Sequence, residues 1–528
     1  MPGMAGLDSA PTLLEVLRRR AREEPEGVWL TVHGEPVTYG AAWARSLRSA
    51  GGLARAGVGR GDLVGLLLPT CREFFDAFFG AEALGAVPVP LYPTLGAAAL
   101  GRILRSSEAR AVVTIDWFRA TVEEAGRASP ALKAILAPDE LQAGGAPAPL
   151  PDLSEDDTAL VQYTSGSTQA PRGVVLSHKN LLANLRAILT RVGLAAGETV
   201  VSWLPLYHDM GLIGASFGSL YAGAPLVLLP PDLRNLRAWV EAITTSRAAF
   251  TASPDFGYRS CARQFHDLAG LDLSSLRMAL SGGEPVRPST VRAFEAQFGL
   301  KGVICPAYGL AEATLAVTMA TPGEPARVDP SGRYVSSGTP LPGVEVRVVR
   351  DDRPLPPGVE GKIVVRGPGV MQGYLHDPVA TKEALRDGWL QTGDLGFLDA
   401  EGHLFVTGRL KDLIVIRGEN VVPGDVEQIV DQHPAVRYSA AIGVDSDRLG
   451  TQRLIVVAEV RDEAPAARSR LIREIARRVR AERGLRPSRV LLVRPHTIPK
   501  TSSGKIQHRR LAELFETGAL REQILGDD

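Results

Sequence analysis

Cysteine is scarce in this chain. Its 528 residues hold only Cys71, Cys261 and Cys305, with no CxxC and no metal-ligand spacing among them. That argues against a disulfide framework or a structural zinc site and fits a reducing cytoplasm. Neither sign of charge is in excess: Lys plus Arg and Asp plus Glu number 59 each, for a net charge of zero. No global field exists to hold nucleic acid or an anionic membrane, so any anion must be held by local geometry. Long apolar runs are missing too. The N-terminus carries Asp8, Glu15, Glu23 and Glu24 without an uninterrupted apolar core, which reads against a signal peptide. The most apolar stretch, AEALGAVPVPLYPTLGAAAL, contains Glu82 and three prolines. It reads as a helix end and a strand-like crossing, with no membrane insertion.

What is present is ordinary globular composition, 45% hydrophobic and 22% charged, enough for large cores. The length implies about three to five compact units. Residues 12–25 have helical spacing and a proline stop. Helical patterns such as EFFDAFFGAEALGA then alternate with apolar runs such as DLVGLLLP and ARAVVTI. This βα alternation predicts parallel sheets covered by helices. It continues through residues 157–320, with strands at TALVQYT, GVVLS, APLVLLP and LRMALSG. From about residue 335 turn residues separate β-rich runs, predicting a small antiparallel or barrel-like unit. After Arg409–Lys411 the pattern becomes a compact α+β unit. Its Arg-rich helix, ARSRLIREIARRVRAERGL, reads as a solvated face over a buried aliphatic stripe. The stretch AGGAPAPLP at 143–151 reads as a surface linker.

Two loops carry chemistry. Residues 163–173 pack two glycines, two serines, two threonines and Arg172 after an apolar strand. Glycine allows close backbone approach, hydroxyls donate, and Arg172 can neutralise phosphate oxygens. The GxxxxGK[ST] spacing is absent, so this is not a Walker loop, and a polar hairpin turn is the plain alternative. The second loop, TIPKTSSGKIQHRR, carries Lys505 near the end of the chain. Together they suggest a site that gathers a nucleoside triphosphate and a carboxylate. The GxSxG match at Gly214–Gly218 lies within an apolar helical pattern and does not suit a hydrolase elbow.

Seven stretches in order make the pattern specific: QYTSGST, SWLPLYHDMGLI, SGGEPVRPST, AYGLAEATL, WLQTGDLG, GRLKDLIVIRGEN and PKTSSGKI, spanning residues 162 to 506. The chain resembles the adenylate-forming superfamily of acyl-CoA synthetases, peptide-synthetase adenylation domains and luciferases, most of all its fatty acyl-AMP ligases. The resemblance implies an N-terminal core over residues 1–410, helix-covered sheets plus the small β unit. A mobile C-terminal domain, 411–528, would follow. ATP and Mg²⁺ are the implied cofactors. Thr164, Ser165, Gly166, Ser167, Thr168 and Arg172 would cradle the β- and γ-phosphates, with Arg172 where Lys is common. Gly282, Gly283 and Glu284 would border the adenine and acyl pocket. Within Ala307, Tyr308 and Gly309, the tyrosine would stack on adenine. Glu312, with Thr164, would hold Mg²⁺. Asp394 and Arg409 would hold the ribose. Lys411 would be the hinge, turning between a pose that inserts Lys505 and one that presents the Arg417–Asn420 face to a thiol.

The chemistry accounts for Lys505. A carboxylic acid with a pKa of about 4 is already ionised, so no general base is required. The obstacle is bringing that anion onto an anionic phosphoryl group, which a mobile ammonium and Mg²⁺ offset. His208 either gates the carboxylate pocket or is a satisfied core histidine. Amino-acid-activating relatives have Asp at this point, so His208 argues for a hydrophobic, non-amino acid, although Asp209 next to it tempers that. Its pocket is expected around Trp203–Phe217, Thr251–Phe256 and Gly282–Glu284. The acyl group would pass to CoA or to an acyl carrier protein; adenylate formation alone, or a non-catalytic scaffold, are the alternatives. Fatty acyl-AMP ligases usually carry an extra segment after AEATL that restrains the C-terminal domain, and the stretch here looks too short for it.

Overall fold

The computed structural model describes residues 9–145, 150–164, 171–232, 235–265, 267–416, 418–446, 451–461, 465–501 and 505–527. The predicted apolar runs become strands because parallel strands are buried on both faces and read as unbroken hydrophobic sequence. Leu63–Leu67 lies between Val87–Pro90 and Ala111–Thr114 in an all-parallel sheet. A second sheet has a parallel centre. Val28–Val32, Leu226–Leu228, Val200–Ser202, Phe250–Ser253, Met278–Ser281 and Ile304–Gly309 lie side by side, and Ala316–Met319 adds antiparallel to the last. Helices pack on its two faces, leaving separate apolar cores on either side. The unit after residue 335 is an antiparallel sheet built on Glu345–Arg350, Gly361–Arg366, Trp389–Leu398 and Leu404–Arg409.

One expectation is corrected. Thr158–Tyr163 and Gly173–Ser177 do not join a parallel sheet but pair antiparallel, with Tyr163 opposite Gly173. Only residues 164–172 connect them, too few for a parallel crossover, which takes a dozen or more. The two strands are therefore the arms of a hairpin. Ser177 then caps the helix His178–Val192, its side chain accepting from Asn180 N at 3.1 Å while Asn180 Oδ1 accepts from Ser177 N at 3.0 Å. Residues 146–149 of the expected linker and Arg417 lie outside the described residues.

The C-terminal unit is α+β as expected. Val436–Ser446, Thr451–Val460, Arg489–Val493 and Ile524–Asp527 form one mixed sheet. Strand alternation gives it two apolar faces. Ala441, Leu454, Val456 and Leu492 meet the helices Pro423–Asp431 and Pro465–Arg483 on one side. Ile442, Ile455, Val457 and Leu491 meet Leu511 of the helix His508–Glu516 on the other. In the Arg-rich helix Leu471, Ile472, Ile475 and Val479 are buried, while Arg470, Arg473, Arg477 and Arg480 face solvent.

This unit docks on the body through buried charge. Asp431 accepts from Arg287 Nη1 at 2.6 Å and Arg259 Nη1 at 3.3 Å, and its other oxygen accepts from Ser439 Oγ at 2.8 Å. Arg263 donates to its backbone carbonyl at 3.3 Å. Burial pushes the Asp431 carboxyl up to about 6, with Arg259 opposing. A second contact forms at Asp425, which accepts from Tyr334 Oη at 2.5 Å and Arg333 Nη1 at 3.1 Å. Removing one partner of a buried pair leaves the others uncompensated. Asp431→Ala should weaken docking by on the order of 3 kcal/mol, seen as faster tryptic cleavage near Lys411.

Candidate active site

A cavity of about 820 Å³ opens where the two units meet. It brings together, from distant parts of the chain, Thr164, Arg172, His208, Gly282, Gly283, Glu284, Ala307, Tyr308, Gly309, Glu312, Asp394, Arg409, Lys411 and Lys505. Ser165, Gly166, Ser167 and Thr168 lie outside the described residues.

Strand register organises one end of the cavity. Asp394 and Arg409 are direct cross-strand partners, and Arg409 Nε lies 3.1 Å from Asp394 Oδ1. From the neighbouring sheet Tyr308 donates its hydroxyl to Asp394 Oδ2 at 2.6 Å. Burial, then the Asp394 charge, pushes the Tyr308 phenol well above its usual range, so it stays a donor. Both oxygens of Asp394 are thus held in place at the cavity wall.

Glu312 is held by a strained turn. Thr314, two residues on, has φ 69° and ψ −61°, and Leu315 N donates to Ala313 O at 2.8 Å. This is the rare γ-turn with a positive-φ centre, unusual for a β-branched residue. It persists because Thr314 is fully buried and its hydroxyl donates to Gly369 O at 2.7 Å. Gly309 lies against the same turn: a Cβ there would meet Leu315 O at 1.6 Å. The Glu312 carboxylate accepts from Tyr374 Oη at 2.8 Å, and the Arg172 guanidinium sits 5.2 Å from the centre of the Tyr374 ring. Tyr374 thereby links the carboxylate to Arg172.

Lys505 enters from the C-terminal unit. Its loop closes on itself, with Thr501 N donating to Lys505 O at 2.8 Å and Lys505 N donating to Thr501 Oγ1 at 3.1 Å. Burial, then the Arg409 charge, lowers the Lys505 pKa below the usual lysine value, against the pull of Asp209, Asp394 and Glu284. Glu284 accepts from Phe256 N at 2.6 Å, and burial followed by the Asp255 charge raises its pKa. His208 lines the cavity, with Nδ1 2.7 Å from Asp209 Oδ1. Asp209 also accepts from Met210 N at 2.7 Å, and there the chain enters a π-helix, Met210–Phe217. Such helices are rare and frequent at functional sites. Ser216 within it is fully buried and donates to Gly211 O at 2.9 Å, so it is no nucleophile.

Comparison with known proteins decides the family. The AMP-binding enzyme family matches residues 17–375, and the AMP-binding enzyme C-terminal domain matches residues 425–505. The chain belongs to the AMP-binding enzyme family. A putative acyl-CoA synthetase of Caulobacter vibrioides is 33% identical over 553 residues, 96% of each chain. The medium-chain fatty acid–acyl-carrier-protein ligase JamA of Moorena producens is 34% identical, over 88% of this chain and 87% of its own. Among solved structures, one from a study of the fatty acyl-adenylate ligases of E. coli and L. pneumophila matches with a TM-score of 0.88. It is 31% identical and covers 97% of this chain and 99% of its own.

For this adenylate-forming ligase, sequence reasoning missed Tyr374, Thr314 and His508. The first lies in MQGYLHDP, which reads only as strand and turn. The second sits in AEATL, where nothing in the letters marks a positive φ. His508, three residues past Lys505, donates Nε2–H to Glu427 at 2.6 Å and has Nδ1 3.8 Å from Asp412. Burial pulls its pKa down, but Glu427 and then Asp412 outweigh this and raise it above its ordinary 6.5. A raised folded pKa contributes stability that is full below the unfolded value and lost as pH climbs through the folded one. Thermal stability should therefore decline as pH rises above about 6.5 and on through the raised folded value. His508→Gln should flatten that part of the profile.

Proposed function

We propose that the cavity joins ATP to a hydrophobic, non-amino carboxylic acid, releasing pyrophosphate, and that the acyl group then passes to a thiol. The observation that carries this reading is the meeting of Lys505 from one unit with Asp394, Arg409 and Glu312 from the other. Thr164, Arg172 and the loop between them cradle the β- and γ-phosphates. Asp394 and Arg409 take the ribose, and Tyr308 with Gly282–Glu284 flanks the base. The Lys505 ammonium lies between the substrate carboxylate and the α-phosphate, where it neutralises charge as the new P–O bond forms. No proton need be removed, because the acid arrives ionised.

The Glu312 carboxylate and the Thr164 hydroxyl are the hard oxygen donors Mg²⁺ takes alongside substrate phosphates, so the residues fit that ion. Bound there, it supplies Lewis-acid neutralisation of the triphosphate. The non-amino reading is supported by His208 standing at the cavity wall, with its Nδ1 2.7 Å from Asp209 Oδ1.

We place the unit boundary at residues 410 and 411, in the short 3₁₀ turn Leu410–Asp412, with Lys411 as the hinge. Named relatives include both an acyl-CoA synthetase and a carrier-protein ligase, so CoA and a carrier protein both stand as acceptors. One contact favours the adenylate-forming-only alternative. The short stretch after AEATL reaches the C-terminal unit through Arg333 and Tyr334 on Asp425. Among the described residues no helix is long and apolar enough to cross a membrane. Three free thiols and the use of ATP support a cytoplasmic setting.

Acid-dependent ATP–pyrophosphate exchange tests the reading, and a non-catalytic scaffold would give none. Lys505→Ala should lower adenylate formation by about a hundredfold or more, while thiolysis of supplied acyl-AMP survives. Equal losses in both half-reactions would contradict the assigned role.

A further inference from the structure

Beyond the carboxylate end, the cavity continues as an apolar tunnel along one face of the parallel sheet. Register orders its lining. Ala252 and Leu280 are cross-strand partners next to the Gly282–Glu284 loop, and two residues deeper Phe250 pairs with both Val200 and Met278. All five line the cavity, and roughly 16 Å of extended chain separates Met278 from Gly283. The tunnel therefore runs from the C-terminal to the N-terminal ends of these strands.

At those N-terminal ends an ion pair crosses the tunnel's line. Arg277, just before Met278, makes a two-pronged contact with Glu198, just before the strand of Val200: Nε–Oε1 is 2.8 Å and Nη2–Oε2 is 2.7 Å. Arg277 Nη2 also donates to Gly193 O at 3.1 Å, at the end of the helix that walls the tunnel. Its guanidinium lies 4.7 Å from the centre of the Phe250 ring, while the side chain is 46% exposed on its outer side. One side chain thus ties two strand starts and a helix end together, directly behind the last ring of the tunnel.

We infer that the Arg277–Glu198 pair, seated on Phe250, is the stopper that closes the acyl tunnel and sets the longest alkyl chain accepted. This deepens the acid-activation reading above and rests on it. The lining is mainly aliphatic, with the Ser219 hydroxyl among it and the Phe250 ring at its end, so the ligand is a linear alkyl carboxylic acid whose terminal methyl meets Phe250. Arg277 acts through that ring and touches no reacting atom. A planar guanidinium held at three points suits a fixed plug better than a lysine would.

Pyrophosphate exchange with octanoic, dodecanoic and hexadecanoic acids tests this. In the unsubstituted enzyme kcat/KM should fall from dodecanoate to hexadecanoate. Arg277→Ala should raise the hexadecanoate-to-octanoate ratio of kcat/KM by about tenfold, the scale at which a hydrophobic pocket discriminates added methylenes. Glu198→Gln, which keeps size and removes the charge holding Arg277, should move the ratio the same way and carries the test if Arg277→Ala fails to fold. A merely structural role would lower activity on all three acids together. An unchanged ratio in the variants, with the unsubstituted enzyme active, overturns the stopper alone. No exchange with any acid overturns the acid-activation reading, and the stopper with it.

Discussion

The proposed chemistry depends on an ammonium that belongs to a different unit from the charged groups around it. Lys505 is carried by the C-terminal unit, whereas Asp394, Arg409, Glu312 and Glu284 belong to the body. Bringing the lysine in costs solvation, which is why burial leads the causes that lower its pKa. What offsets that cost is docking, and the docking is itself built from buried charge. Asp431 sits among Arg259, Arg263 and Arg287 with Ser439 on its remaining oxygen. A buried pair of this kind contributes modest net energy but strongly disfavours arrangements that strand one partner. It therefore selects one pose of the C-terminal unit.

The body holds its candidate functional groups with its own side chains. Tyr308 and Arg409 hold the two oxygens of Asp394, and Tyr374 holds Glu312. These side chains occupy acceptor sites that a ribose or a phosphate-bound cation would share. The donors and acceptors are thus already aimed, so little reorganisation remains when ligand arrives. The γ-turn at Thr314 serves the same end. Strain confined to one buried residue fixes the direction of Glu312, and the surrounding hydrogen bonds keep it there.

Much of this was legible in the letters. Strands buried on both faces announce themselves as runs such as LVLL and DLVGLLL, and the loop and lysine motifs named Thr164, Arg172 and Lys505, which now share one cavity. The hairpin under the phosphate loop was read wrongly because TALVQY and GVVLS look like any other buried strands. Only the short connection between them distinguishes antiparallel pairing from a crossover. Tyr374 and His508 were not legible at all. A tyrosine in a strand and a histidine at a helix start carry no local mark, and each acquires its role from a carboxylate more than sixty residues away.

By itself the sequence determined the alternation of elements, the division into a large α/β body and a small α+β unit, and the residue types proposed to handle phosphate, sugar and carboxylate. Those follow from local periodicity and from spacing within short motifs, which neighbouring residues settle among themselves. Tertiary structure decided which groups meet: Tyr374 with Glu312, Asp431 with its arginines, and Arg277 with Glu198 behind Phe250. Such encounters depend on how whole sheets and helices pack, and packing joins residues whose separation along the chain says nothing of their distance in space.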